Sequence, residues 1–341
     1  MTPRNVIIIG SGKRVREAAL PVLRRLEARL AVRGIFARTA KQIDVDGVTH
    51  EVGRFEDLRG EELADVDLVY LAVTKDAVPS VLARLTSCDV SRIDLLIDTP
   101  VVRFKHFAHV DALRRFRNVW VAEDCSALPW FDVVREAVDA GAIGDLRCAL
   151  FFQSAYAYHA IATAKALLGS RRIRSGRREA LSPHFGCRRL RFANGRTAIV
   201  YEPRDYSIGR LALLGTDGSI SDYPHSARGN LLLEPLVEGD ACVGFRCGDA
   251  TSRLSDDEAQ LLRGGEAAAS VTSRMDAMKR VGLLRLFEGI LAGRGAYPLD
   301  EALDDMVVDY HLEKLGWYYA NPFTSSRSPL ARFMLKSLTR R

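Results

Sequence analysis

The residues that could do chemistry in this chain of 341 fall at a few separated places. The first is Gly10-Ser11-Gly12-Lys13-Arg14, directly after the β-branched apolar run Val6 to Ile9. A strand feeding a tight glycine turn and then a helix offers unpaired N–H groups to an anion. Gly10 permits the turn and Gly12 lets the backbone approach a pyrophosphate. About 20 residues beyond such glycines, a chain that binds a free ribose 2′-hydroxyl carries an acid. Here Ala37 is followed by Arg38, Thr39 and Lys41, and no acid occurs before Asp44. An arginine can clasp a 2′-phosphate bidentately, so these residues predict NADP(H) in preference to NAD(H). The second place is His159, an imidazole able to give or take a proton near neutrality. Tyr156, Tyr158 and Lys165 lie on or just before the same helix. Helical spacing puts Tyr156 on the face of His159 and turns Tyr158 elsewhere. Cys125 stands after a strand, with no cation at fixed spacing to activate it, and reads as a small buried side chain. None of the six cysteines forms a CxxC pair or has a histidine at ligand spacing. Reduced thiols in a cytoplasmic protein are expected, and no metal.

These residues need elements to hold them. Leu30 to Phe36, Val48 to Val52, Asp67 to Val73, Ile93 to Ile97 and Val119 to Ala122 read as strands after the first. They alternate with helical stretches, among them Arg14 to Leu30, Phe55 to Leu63, Val78 to Leu85 and Phe104 to Arg115. That alternation implies a doubly wound parallel sheet, whose ligands bind off the carboxyl ends of the strands. The residues so placed are Gly10 to Arg14, Ala37 to Thr39, Val73-Thr74-Lys75, Asp98-Thr99-Pro100 and Glu123 to Ser126. The pattern then changes. Trp130 to Ala140 and Tyr156 to Leu168 are helical, Leu146 to Gln153 is a strand, and Phe185 to Phe245 holds short alternating runs with turn signals, which is an antiparallel sheet. Ser270 to Leu291 and Leu299 to Leu315 are amphipathic helices. The expected organisation is a Rossmann domain over 1–122, an α+β domain over 123–323 with a largely antiparallel open sheet, and a basic tail over 324–341.

In order and spacing these passages resemble the Gfo/Idh/MocA oxidoreductases, over about residues 4 to 316. The resemblance is carried by Gly10-x-Gly12 with Pro21-Val22-Leu23, by Val73-Thr74, and by Asp98-Thr99-Pro100 at the place of the family's Glu-Lys-Pro. It is carried further by Glu123 through Ala140-Gly-Ala-Ile-Gly-Asp-Leu146 and by the helix His159 to Gly169. The resemblance implies a nicotinamide cofactor, a small-molecule substrate seated against the second-domain sheet, and a homo-oligomer formed through that sheet. It also exposes departures. The family's sugar and polyol dehydrogenases use the lysine of Glu-Lys-Pro, here Thr99, and acids near the histidine, here Ala155 and Ala162. Oxidising an alcohol needs a base for the hydroxyl proton, and those losses argue against it. Reducing a carbonyl or imine needs hydride and a proton donor. Thiazolinyl imine reductases, relatives in the family, also dispense with the lysine. The expectation is therefore an NADP(H)-dependent reductase of a small biosynthetic intermediate, with His159 the leading donor, Tyr156 and Lys165 its alternates, and Thr99 bonding substrate or ribose. The alternative is a catalytically degenerate nucleotide binder with an accessory or regulatory role.

Composition closes other classes. Hydrophobic residues make up 48% and charged residues 27%, and no apolar run reaches membrane-spanning length. The net charge of +6 comes from scattered arginines, densest over Arg171 to Arg178, Arg188 to Arg191 and Arg340-Arg341. No nucleic-acid-binding motif accompanies them, so they read as solvated faces and no nucleic-acid partner is expected.

Overall fold

The computed structural model describes residues 2–239, 241–262 and 271–321. The chain forms two units. The first comprises the described residues up to Glu123 together with Leu283–Leu303, and the second comprises Asp124–Gly282 and residues 304–321.

The first unit is built on strands β1 (Arg4–Ile9), β2 (Leu30–Ala37), β3 (Lys41–Val45), β4 (Val48–Arg54), β5 (Leu68–Leu71), β6 (Asp94–Asp98) and β7 (Asn118–Ala122). With β17 (Tyr297–Pro298) they make one sheet in the order β17-β7-β6-β5-β1-β2-β4-β3. The strands from β7 to β4 pair in parallel, and the order reverses at β1, between β5 and β2. Every residue of β5 is buried, as is β6 from Asp94 to Ile97, which is why both read as unbroken apolar runs. Between strands run α1 (Leu20–Arg25), α2 (Gly60–Leu63), α3 (Val78–Leu85) and α4 (Val110–Leu113), with a π-helical turn at Val15–Ala19 leading into α1. Gly10 ends β1 with φ +126°. A Cβ there would lie 2.0 Å from the Ala72 carbonyl oxygen, so only glycine fits.

The second unit holds α5 (Phe131–Asp139), β8 (Cys148–Phe152), α6 (Ala157–Leu168), β9 (Ile173–Ala180), β10 (Gly186–Phe192), β11 (Thr197–Glu202) and β12 (Arg210–Leu214). It continues through β13 (Ser219–Ser221), β14 (Asn230–Glu238), β15 (Ala241–Cys247), β16 (Ala250–Arg253) and α7 (Asp256–Leu262), and ends with β18 (Trp317–Tyr319). The sheet order is β16-β15-β14-β13-β12-β8-β11-β10-β9-β18, antiparallel except at β8 with β11 and β13 with β14. Two long helices, α8 (Met275–Leu291) and α9 (Leu299–Leu315), each begin in one unit and end in the other.

The α/β architecture is the one expected: a doubly wound sheet, then a largely antiparallel one. Several particulars differ. The second domain is not the continuous 123–323 span. Leu283–Leu303 returns to the first unit, where β17 pairs with β7 and the Phe287 ring packs 5.8 Å from that of Tyr70. The third strand is a hairpin, β3 with β4, turned by Asp46 and Gly47, both at positive φ. Phe104 to Arg115 gives a 3-10 stretch and the four residues of α4, not one helix. The arginines of 171–178 are all exposed, as a solvated face requires, and Arg174, Arg177 and Arg178 lie on the paired strand β9. The expected tail, 324–341, lies outside the described residues.

Candidate functional site

In the first unit the residues expected to hold a nucleotide stand at the carboxyl ends of neighbouring strands. Gly10, Ser11, Gly12, Lys13 and Arg14 follow β1, and Ala37, Arg38 and Thr39 end β2 and follow it. Val73 and Thr74 follow β5, while Asp98, Thr99 and Pro100 end β6 and follow it. Ser11 is buried, whereas Gly12 and Lys13 are exposed, and a Cβ on Gly12 would meet no atom within 4 Å. The turn therefore presents open backbone at the start of a helix, which suits a phosphate. Arg38 and Thr39 are exposed beyond β2, in the position that faces a ribose in such folds. Arg14 Nε donates to Asp98 Oδ1 at 3.1 Å, joining the glycine turn to the end of β6.

Sequence reasoning passed over Lys75 as a site residue. Its ammonium donates to the Asp98 carbonyl at 2.8 Å, beside Thr99. Burial lowers its pKa to about 8, with Arg14 adding to the lowering and Asp98 opposing it. A lysine ammonium thus stands beside Thr99, supplied from the end of the adjacent strand. The only sign in the sequence is a lysine just past a buried strand. Its burial depends on β6 and the glycine turn, which sequence distance hides.

In the second unit His159 sits in the first turn of α6 and is buried, at 8% exposure. Tyr156 is the N-cap of that helix, in extended conformation. Ala157 follows with φ +49°, and Gln153 at the end of β8 has φ +56°. Such strained joints concentrate at functional sites. The bend places both tyrosines on the histidine, with ring centroids of Tyr156 and Tyr158 at 5.1 and 4.4 Å from it. The expectation that Tyr158 points elsewhere fails because the helix starts at Ala157 rather than Tyr156. Thr163 donates to the His159 carbonyl at 2.8 Å and lies 3.2 Å from that of Cys125, fixing the 124–126 turn to α6. Ligand-type atoms of Asp124, Cys125 and His159 consequently lie within 4.8 Å of one another, all buried.

Lys279 on α8 completes this cluster. Gly282, one turn on, lets the helix pass so close to Asp124 that a Cβ would lie 2.3 Å from its carbonyl oxygen. Although burial disfavours its charge, the attractions of Cys125 and Asp124 and a hydrogen bond with Tyr206 raise the Lys279 pKa strongly. Burial, with Cys125 adding to it, pushes the Tyr206 hydroxyl up to about 12. Cys125 therefore has the cationic neighbour that its sequence surroundings lacked. The three donors could also take a cation, but an ammonium already supplies positive charge there, so the arrangement suits proton handling and charge stabilisation better than a metal. Tyr206 lies on the loop after β11, where Asp205 Oδ1 accepts from Ser207 N and Oγ at 3.0 and 2.6 Å and Asp205 N donates to Gln153. The same loop lays the Arg204 guanidinium on the Tyr156 ring, 4.2 Å from its centroid.

Lys165 does not join this group. It is buried and bridged to Asp305 of α9 at 2.5 Å, so its ammonium is committed to a structural ion pair. Spacing along α6 gives no warning of a partner on another helix.

Comparison with known proteins adds the following. No family model matches the chain, and no curated protein matches it. Solved structures do. An NAD-binding oxidoreductase from Klebsiella pneumoniae is 14% identical, with a TM-score of 0.63 over 94% of this chain and 100% of that one. A scyllo-inositol dehydrogenase from Lactobacillus casei with bound NAD(H) and scyllo-inositol is 12% identical, with a TM-score of 0.60 over 93% of this chain and 99% of that one. An oxidoreductase from Agrobacterium radiobacter in complex with NAD+, L-tartaric acid and magnesium is 13% identical, with a TM-score of 0.60 over 93% and 98% of the two chains. The chain has the fold of these oxidoreductases over nearly its whole length, the fold that the Gfo/Idh/MocA resemblance implied. Among the described residues no helix is long and apolar enough to cross a membrane.

Proposed function

We propose that this chain is a nicotinamide-dependent oxidoreductase of the Gfo/Idh/MocA type, using NADP(H) and reducing a carbonyl or imine of a small biosynthetic intermediate. The observation that carries the reading is Lys75. A half-buried ammonium that loses its proton near pH 8, hydrogen-bonded to the strand end that carries Asp98 and Thr99, is built to move a proton rather than to solvate a surface. It supports retained catalysis over a nucleotide-binding relic.

The residues fit a dinucleotide. Open backbone at Gly10 to Gly12 would take the pyrophosphate, Arg38 and Thr39 the 2′-phosphate, and Val73, Thr74, Thr99 and Pro100 would flank the nicotinamide side. When bound, the cofactor supplies hydride. The chain's own groups do the rest. Lys279 keeps its charge throughout the working pH range and stabilises negative charge on the substrate heteroatom. His159, held by Thr163 and flanked by two tyrosines, gives the proton. Lys75, beside Thr99 at the end of β6, holds a further proton that titrates near pH 8. Within the second unit, the charge and proton that Ala155 and Ala162 cannot supply come from Lys279 and His159.

Fluorescence titration tests the cofactor. NADPH should bind in preference to NADH, and Arg38→Ala should shrink that preference by about 10- to 100-fold, the worth of a charge-assisted hydrogen bond. Absence of NADPH binding would end the reading. A homo-oligomer formed through the second-unit sheet and a cytoplasmic location with reduced thiols belong to the same proposal. A dimer in light scattering would support the first.

A further inference from the structure

A groove of the second unit, about 690 Å³, opens from Tyr156 and Arg204 of the cluster and runs along the ends of β9, β10 and β11. Most of its charge is already spent. Arg188, buried, meets Glu202 at 2.8 Å, Asp309 at 2.5 Å and Glu313 at 3.1 Å, and Arg178 meets Glu202 and Glu313 at 3.7 and 3.5 Å. Burial raises the Asp309 carboxyl despite the arginine beside it, as expected where the acids outnumber the arginines. That network is a wall. It anchors the ends of β10 and β11 to α9 and offers a ligand no spare cation.

Arg204 differs. It is exposed, and its guanidinium lies over two rings, 4.2 Å from the centroid of Tyr156 and 4.9 Å from that of Tyr206. Stacking fixes the plane of the guanidinium, a hydrogen bond to Tyr206 and the attraction of Asp276 hold part of it, and its remaining N–H groups can meet a planar or tetrahedral anion. The orientation is not accidental, since Asp205 and Ser207 brace the loop on both sides. His184 lines the same groove, exposed, on the turn before β10. Tyr156 is shared, touching Arg204 on one side and His159 on the other.

We infer that this groove is the distal arm of the substrate site and that it selects substrates bearing a carboxylate or phosphate, which Arg204 binds while the reacting carbon lies at His159. The inference rests on the oxidoreductase reading above and adds the substrate's charge. A neutral sugar or polyol makes no use of a stacked, exposed guanidinium one ring away from the proton donor. An anionic carbonyl compound with a short chain between its two groups does.

The test is NADPH oxidation with matched pairs: succinic semialdehyde against butanal, and erythrose 4-phosphate against erythrose. The anionic member should have the higher kcat/KM in at least one pair, and which pair responds tells carboxylate from phosphate. Arg204→Gln, with an unchanged melting temperature, should cut the anionic-to-neutral ratio by about 10- to 100-fold, and Arg204→Lys should restore part of it. Equal rates within both pairs, or a ratio that Arg204→Gln leaves alone, would overturn the anion site and leave the oxidoreductase reading standing. If NADPH binds but no aldehyde turns over, calorimetry with citrate and with inorganic phosphate on the NADPH-saturated protein decides. Heat that Arg204→Gln abolishes supports the site, and heat unchanged by it, or none, overturns it. Failure to bind NADPH would instead strike the reading beneath.

Discussion

On the proposed reading Lys75 is the residue on which the chemistry turns, and its titration is measurable. A reduction needs its proton, so the rate should be level below about pH 8 and fall roughly tenfold per pH unit above it. Lys75→Met should remove that limb and lower kcat by about 10²- to 10³-fold, within the usual range for a proton-transfer group. Lys75→Arg should keep the charge and lose the limb. A limb that persists in the methionine variant would assign the proton to another group. Stability offers a second readout. The folded pKa lies below the unfolded one, so the unfolded chain holds the proton longer and stability rises between about pH 8 and the ordinary lysine value of 10.5. Lys75→Met should flatten that rise in urea unfolding. Lys75 was in view in the sequence only as a residue past a strand end. The sequence displays residue types and local spacing, and the shift comes from burial, with Arg14 adding to it and Asp98 opposing it, all assembled from three separate strand ends. Lys279 and Cys125 are a harder case, since nothing local links them and only the passage of α8 at Gly282 brings them together.

At the scale of elements, what holds α6 to α9 is the pair Lys165 and Asp305, at 5% and 3% side-chain exposure. A buried charge left without its partner is costly. Lys165→Met should destabilise the protein by about 3–5 kcal/mol, and adding Asp305→Leu should recover much of the loss. Urea unfolding reads both. The pH limb assigned to Lys75 should stay in place in any Lys165 variant that folds. A shifted limb would return Lys165 to the chemistry. The elements themselves were legible where one physical pattern dominated. Parallel strands buried on both faces leave continuous apolar runs such as Leu68 to Leu71. The bounds of α9 are those expected, but the helix is buried on most sides and is not the amphipathic one its sequence predicted. The hairpin of β3 and β4 carried a readable Asp-Gly turn, but its exposed strand has the composition of a loop. The β17 pairing had no local signal at all, because two residues form the strand and their partner lies far back in the chain.

For the whole molecule, the return of Leu283–Leu303 means that the nucleotide unit cannot be excised by cutting after residue 122. Tyr70 and Phe287 are both fully buried and pack ring to ring within this unit. The close of the segment is tighter still. A Cβ on Gly295 would lie 2.4 Å from the Trp120 indole nitrogen, and one on Gly289 would lie 2.3 Å from the Gly295 carbonyl oxygen, so the returning chain fits against β7 with no slack. Losing the burial of one large aromatic costs about 3–5 kcal/mol, against a total stability for a typical domain of about 5–15 kcal/mol. The fragment 1–122 would lose Phe287, the neighbouring apolar side chains of α8 and the β17 edge together. It should therefore fail to show a cooperative melt by circular dichroism and should bind NADPH weakly or not at all. Joining residues 283–303 to the end of that fragment through a flexible glycine and serine linker should restore both, because the linker only replaces the covalent path through the second unit. A fragment that melts as cooperatively without the segment as with it would show that β17 and the end of α8 merely rest on the unit. The cofactor site and its stability would then be separable, which the packing of Phe287 on Tyr70 argues they are not.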